Sequence, residues 1–133
     1  ILILARESGN EIEISDIENN PFLPKESLET NSNEAFFNSL IKYEAHFQKL
    51  YTTAKQKGCK LKYVASFKDG KASVGLEEIP QGHDFYALEG SDNIVQFYTE
   101  RYPQQPMIIK GAGAGAAVTA SGIFADIIRV GNF

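Results

Sequence analysis

The stretch MIIKGAGAGAAVTASGIFADIIRV, residues 107–130, combines an apolar run, three glycines two residues apart and a long amphipathic pattern. The run from Met107 to Lys110 predicts a strand, and the pattern from Ala117 to Val130 predicts a helix. Gly111, Gly113 and Gly115 predict a tight turn between them, because glycine tolerates positive φ and lets other groups approach the backbone closely. We therefore expect a strand, a glycine turn and a helix in direct succession.

This turn leads into the N-terminus of the predicted helix. Backbone N–H groups there have no intrahelical partner, and the helix dipole is positive. A pyrophosphate or another electron-rich group commonly binds at such a place. The structural alternative is that the glycines only allow the helix to pack closely on a sheet, with Ala116, Ala117 and Ala120 as small contact residues. The residues alone leave both interpretations open.

The same glycines satisfy part of a dinucleotide-binding pattern, Gly111-x-Gly113-x-x-Ala116. The full pattern requires a second strand with an acidic residue roughly 20 residues further on. The sequence reaches Phe133 before such a strand. We therefore expect the glycines to touch a cofactor only if another domain holds most of it.

Composition predicts one compact domain over residues 1–133, since 43% of the residues are hydrophobic. The net charge is −4 and acidic and basic residues are mixed, so we expect no nucleic-acid partner. No apolar run approaches the roughly 20 residues of a membrane span, so we expect no membrane partner. The single cysteine, Cys59, excludes an internal disulfide framework and fits a reducing compartment.

The rest of the chain predicts an α+β fold with a mostly antiparallel or mixed sheet covered by helices. Alternation predicts a strand over Glu11–Ile14, with Ile17 as an irregular extension of it. An apolar stripe predicts one helix from about Asn33 to Lys57. Asp69-Gly70 between two alternating runs predicts a β-hairpin. A further strand is predicted over Ile94–Arg101. These strands lie between helical segments at the start, middle and end of the chain.

We expect no metal site, because His46 has no second histidine, cysteine or carboxylate at metal-ligand spacing. His83-Asp84 invites an acid–base interpretation, but adjacent residues in a glycine-containing loop rarely act together. Cys59 is interpreted as a structural residue.

The chain as a whole resembles the C-terminal part of homoserine dehydrogenase. The segment ILILARESG, residues 1–9, is similar to the sequence that follows the catalytic lysine of that family. The segment KGAGAGAAVTASG, residues 110–122, with IFADIIR after it, resembles the family's C-terminal signature. Tyr102, Pro106 and the short segment after Arg129 favour the bifunctional aspartokinase–homoserine dehydrogenase branch.

This resemblance implies an oxidoreductase that interconverts L-homoserine and L-aspartate 4-semialdehyde with NADP or NAD. It implies that Gly113, Ala114 and Gly115 bind the cofactor, with Gly115 against the nicotinamide nucleotide. It also implies a cytoplasmic homodimer or higher homo-oligomer in the pathway to threonine, methionine and isoleucine. It further implies that the N-terminal Rossmann domain of the family lies outside this chain.

The resemblance places no catalytic residue in this chain, because the family's proton-transferring lysine would lie immediately before Ile1. We therefore expect a fragment that folds but does not catalyse by itself. The alternative is a small α+β regulatory module that senses an amino acid without chemistry of its own. A structural dimerisation module is a third interpretation, compatible with the first.

Overall fold

The computed structural model describes residues 1–132 and shows a mixed α+β chain, as predicted. It divides into two compact units, Ile1–Tyr86 and Ala87–Phe133. The single-domain interpretation stays a prediction. Within residues 1–132, no helix is both long and apolar enough to cross a membrane.

The first unit contains a three-stranded mixed sheet. Its strands are β1 (Ile17–Asn20), β2 (Cys59–Lys68) and β3 (Lys71–Pro80), in the order β1-β3-β2. Strands β2 and β3 form the predicted antiparallel hairpin. Asp69 and Gly70 have φ values of 51° and 75°. Positive φ at both central residues is typical of a type I′ turn, whose twist matches the flanking strands. The hairpin prediction is confirmed.

The prediction of a strand over Glu11–Ile14 is wrong, because the first strand, β1, covers Ile17–Asn20 instead. Residues Ile14–Asp16 form a 3-10 turn, in which the backbone N–H of Glu13 donates to Asp16 Oδ2 at 2.8 Å. The strand begins only at Ile17 and pairs in parallel with β3, from Ile17 opposite Ala72 to Asn20 opposite Gly75. This pairing joins segments far apart in sequence, so local alternation did not reveal it.

Four helices belong to the first unit: α1 (Leu2–Glu7), α2 (Lys25–Leu28), α3 (Asn33–Lys42) and α4 (Glu44–Gln56). The prediction of one helix from Asn33 to Lys57 is wrong, because the backbone breaks at Tyr43 (φ −101°, ψ 16°). The predicted apolar stripe is confirmed, because each of its residues is buried or half-buried. They are Phe36, Leu40, Tyr43, Phe47, Leu50 and Ala54. Ser32 caps α3 by accepting the Ala35 N–H at 3.1 Å.

Polar side chains tie the short helix α2 to α3. The hydroxyls of Ser27 and Ser39, both buried, are hydrogen-bonded at 2.8 Å. Glu26 accepts the Tyr43 hydroxyl at 2.7 Å and the Lys42 ammonium at 2.9 Å. The Tyr43 hydrogen bond, followed by the interactions with Lys42, holds the pKa of the Glu26 carboxyl below its usual value. Helix α2 is therefore fixed by side-chain bonds rather than by its own length.

The second unit consists of a hairpin followed by a helix. Strands β4 (Asp92–Phe97) and β5 (Met107–Ala112) pair antiparallel, and α5 spans Ala116–Gly131. The prediction that the first of these strands reaches Arg101 is wrong. At Thr99 and Tyr102 the backbone forms a tight turn instead, in which each N–H donates to the other's carbonyl. The predicted strand at Met107 and the helix after it are confirmed.

Helix α5 is apolar but has no buried residue in the part that the structure describes. Ile123, Phe124, Ile127 and Val130 are each more than half exposed, at 57%, 62%, 61% and 74%. Within this unit the helix therefore does not pack closely on a sheet. The hairpin of β4 and β5 does not cover it.

Candidate functional site

The three glycines of the turn differ in their local structure. Gly111 lies in β5 opposite Asn93, and a Cβ added there would meet nothing within 4 Å. A Cβ added to Gly113 would overlap the side-chain amide of Asn93. Gly115 has φ 124° and ψ 151°, a conformation that residues with a Cβ rarely adopt. Only Gly115 shows the positive φ that the sequence had suggested for all three.

Gly115 is also the N-cap of α5. Its carbonyl accepts the N–H of Thr119 at 3.0 Å, and no side chain caps the helix. No acidic residue lies in the first turn, and a Cβ at Gly115 would stand in open space. The first backbone N–H groups and the positive end of the dipole are therefore presented without a side-chain acceptor. Such a helix start suits an electron-rich group such as a phosphate or carboxamide oxygen.

One basic residue lies close to this turn. Lys110 precedes Gly111, and its ammonium is 3.6 Å from Asp92 Oδ2 on the neighbouring strand. Both side chains are part-exposed, so the pair contributes little to stability. The carboxylate of Asp92 compensates the charge of Lys110, and the helix start is the main positive feature of the turn.

The other residues considered from sequence have structural roles. His46 Nε2 lies 3.0 Å from the carbonyl oxygen of Phe22. His83 Nδ1 accepts the N–H of Phe85 at 3.1 Å, and the two rings pack edge to face. Cys59 is a half-exposed free thiol. Among residues 1–132, no three His, Cys, Asp or Glu side chains come together to hold a metal ion.

Asn93 is the residue near the turn that sequence reasoning missed. It contacts the turn because the β4–β5 register places it opposite Gly111. A register between strands separated by a loop is set by packing and is not visible in either segment alone. The sequence therefore contained no signal for this contact.

These features define a class of site: a strand, a glycine turn and an uncapped helix start that suits an electron-rich group. A family comparison makes the assignment specific. The family model described as homoserine dehydrogenase matches residues 1–128, which include the whole glycine turn. The chain therefore belongs to the homoserine dehydrogenase family.

Individual relatives agree with this assignment. A bifunctional aspartokinase/homoserine dehydrogenase of Haemophilus influenzae is 40% identical over 129 residues, which are 97% of this chain and 16% of that relative. A homoserine dehydrogenase of Paracoccidioides brasiliensis is 37% identical over 98% of this chain and 36% of that relative. A crystal structure of a Candida auris protein of unknown function has a TM-score of 0.83 and 40% identity, covering 98% of this chain and 37% of that one.

The chain thus spans about a sixth of the bifunctional relative and about a third of the fungal one. Family membership is thus shown for the chain.

Proposed function

We propose that this chain is the C-terminal part of an NAD(P)-dependent homoserine dehydrogenase, which interconverts L-homoserine and L-aspartate 4-semialdehyde. The observation that carries the proposal is the uncapped start of α5 at Gly115, inside the segment that matches the family. An open helix start of this kind suits the nucleotide of a dinucleotide cofactor. The relatives named homoserine dehydrogenase support the choice of reaction.

In this proposal Gly113, Ala114 and Gly115 bind the cofactor, NADP or NAD, which supplies hydride chemistry when bound. The residues fit this role, because space is open at Gly115 and no side chain competes for the first N–H groups of α5. The contribution of this chain is to bind the cofactor and to orient it relative to the substrate. Orientation of this kind lowers the barrier by holding the reactants in a productive geometry.

Proton transfer requires a residue from elsewhere in the protein. Oxidation of the homoserine hydroxyl needs a group that accepts its proton within hydrogen-bond reach. We assign that group to a lysine preceding Ile1, as the family resemblance implies, and no catalytic residue to this chain. The isolated chain is therefore expected to show no turnover.

The exposed apolar surface of α5 supports a larger assembly. A soluble domain rarely leaves an entire helix with Ile123, Phe124 and Ile127 more than half exposed. We propose that the cofactor-binding domain of the intact protein covers this helix. The intact protein would be a cytoplasmic homodimer or higher homo-oligomer, and the free thiol of Cys59 is compatible with a reducing compartment.

Ligand-induced thermal stabilisation of the full-length protein tests this function against amino-acid sensing. A ligand that binds only the folded state raises the melting temperature. We expect a rise with NADP or NAD. A rise with a free amino acid other than homoserine, and with neither cofactor, would favour the sensing module.

Substitution of Gly115 tests the cofactor turn. In the full-length protein, Gly115→Val introduces a side chain where the cofactor would approach and also strains a position with φ 124°. We expect the Kd for the cofactor to rise about tenfold or more, equivalent to about 1.4 kcal/mol. Gly111→Val is the matched control, because a Cβ there meets nothing within 4 Å and its φ is not positive. Equal cofactor affinity in both variants and the wild type would indicate that the glycines serve only packing and do not bind the cofactor.

A further inference from the structure

The side chain of Asn93 occupies the space above Gly113. Asn93 lies on β4 opposite Gly111, yet its amide reaches Gly113, two residues further along the chain. A Cβ built on Gly113 would overlap Asn93 Nδ2 and lie 2.7 Å from Asn93 Cγ and 3.3 Å from Asn93 Cβ. Gly113 does not have a positive φ. A side chain at 113 would therefore displace the Asn93 amide from its present position, whereas the backbone conformation at 113 would not exclude one.

This contact lies in the short connection between the hairpin and the helix. Strand β5 ends at Ala112 and α5 begins at Ala116, so residues 113–115 alone link them. Gly115 cannot hold the connection through a side chain, and the space where its Cβ would be is open. The amide of Asn93 packs on the first of these three residues and so restricts the connection from the side of β4.

We propose that Asn93 is a positioning residue for the cofactor turn: by packing on Gly113 it fixes the direction in which the start of α5 faces the cofactor. This inference rests on the proposed function. Without the amide, residues 113–115 sample more conformations, and cofactor binding must order them. Ordering a loop on binding lowers affinity without changing the contacts made once the ligand is bound.

The test uses the full-length protein with Asn93→Ala, Gly113→Ala and the double variant, and Gly111→Ala as the control. Readouts are the Kd for NADP and NAD by direct titration, kcat and homoserine KM at saturating cofactor, and the melting temperature. We expect Asn93→Ala to raise the cofactor Kd by about three- to tenfold, less than the ~100-fold loss that a 1 Å misplacement of reacting groups can cause. Its kcat, homoserine KM and melting temperature should match the wild type.

The double variant provides a second, independent readout. Gly113→Ala alone should weaken cofactor binding more strongly than Asn93→Ala, because the new methyl group displaces the Asn93 amide and also crowds the Cγ and Cβ of Asn93. Adding Asn93→Ala removes the overlap and leaves only the Cβ at 3.3 Å, so affinity should recover to that of Asn93→Ala alone. Such non-additivity is typical of residues in direct contact. Gly111→Ala should leave the cofactor Kd unchanged.

The inference is overturned if Asn93→Ala binds cofactor like the wild type, or if the double variant is no better than Gly113→Ala. It is also overturned if Asn93→Ala lowers the melting temperature and raises homoserine KM in parallel, which would indicate a merely structural role. These outcomes leave the proposed function intact as long as Gly115→Val weakens cofactor binding. A folded full-length protein that binds neither cofactor would refute the proposed function itself, and the inference with it.

Discussion

The parallel pairing of β1 with β3 makes Gly75→Ala the most informative stability test of the first unit. Gly75 is buried and lies opposite Asn20. A Cβ there would stand 2.9 Å from Asn20 Cβ and 3.2 Å from its carbonyl oxygen, both closer than ordinary van der Waals contact. One of these neighbours is backbone, so β1 must move away from β3 by a few tenths of an ångström. Overpacking of this kind costs about 1–3 kcal/mol.

The assay is urea unfolding followed by far-ultraviolet circular dichroism, on the wild type and three variants. We expect Gly75→Ala to lower the free energy of unfolding by about 1–3 kcal/mol. Gly75→Ala with Asn20→Gly should recover part of this loss, since the Cβ contact disappears while the carbonyl contact remains. Gly111→Ala is the control: it adds the same methyl group to a strand glycine with open space, and should be neutral or stabilising by up to about 1 kcal/mol.

The reasoning would be refuted if Gly75→Ala were as stable as the wild type while Gly111→Ala behaved as expected. In that case β1 would not pair with β3 at this register. Equal losses in both variants would instead point to an effect of alanine in strands in general.

Two further predictions concern the side chains that hold α2. Ser39→Ala should lower the free energy of unfolding by about 1–3 kcal/mol, because it leaves the buried Ser27 hydroxyl without its partner. Ser27→Ala should lower the free energy of unfolding by less, because Ser39 still donates to the Phe36 carbonyl at 2.7 Å. Urea titration of both variants measures the two losses. A larger loss in Ser27→Ala than in Ser39→Ala would contradict this reasoning. The pKa of Glu26 is lowered from its ordinary 4.5 by its hydrogen bonds to Tyr43 and Lys42, and the pKa of Lys42 is raised from 10.5 chiefly by its hydrogen bond to Glu26. The pKa of Tyr43 is also raised from 10.0, chiefly by its hydrogen bond to Glu26. The stability that this cluster contributes should therefore be present between about pH 4.5 and 10 and be lost on either side. Comparison of Glu26→Gln with the wild type from neutral pH to below pH 4.5 should show a difference in unfolding free energy that shrinks below pH 4.5. A difference that grows there would contradict the assignment.

Local chemistry explains which parts of the fold the sequence predicted. The β2–β3 hairpin follows from Asp69-Gly70, because few residues other than Asp, Asn and Gly readily adopt positive φ at both central positions. The predicted end of the helical pattern at about Lys57 follows from the same property of the next residue, Gly58, whose φ is 69°. Strand β5 and helix α5 follow from the change in hydrophobic period on either side of the glycine turn. In each case the signal lies within a few residues.

Tertiary contacts account for what the sequence did not reveal. No glycine or proline marks the break at Tyr43 in the sequence. The phenol hydroxyl of Tyr43 is hydrogen-bonded to Glu26, 17 residues away. Strand β1 depends on pairing with β3, more than 50 residues further on. The role of Gly113 depends on Asn93, which the register alone brings to the turn. Such contacts are properties of the folded chain and not of any short segment.

The sequence predicted the position of the candidate site but not the conformation of each of its glycines. The helix start at Gly115 is where the glycine pattern indicated, whereas Gly111 and Gly113 lack the positive φ that the pattern suggested. Binding of a cofactor at Gly113, Ala114 and Gly115 remains a proposal. The three glycines nevertheless have separate structural explanations, and each leads to a different expected effect of substitution.

The most direct test of the proposed function is the initial rate of L-homoserine-dependent NAD(P)+ reduction, measured through the absorbance of the reduced nicotinamide. The rate should be compared between the full-length protein and the isolated 133-residue chain. We predict turnover by the full-length protein and none by the isolated chain, because the proposal assigns the cofactor domain and the proton acceptor to other parts of the protein. Absence of activity in a folded full-length protein with both cofactors, or turnover by the isolated chain, would contradict the proposal.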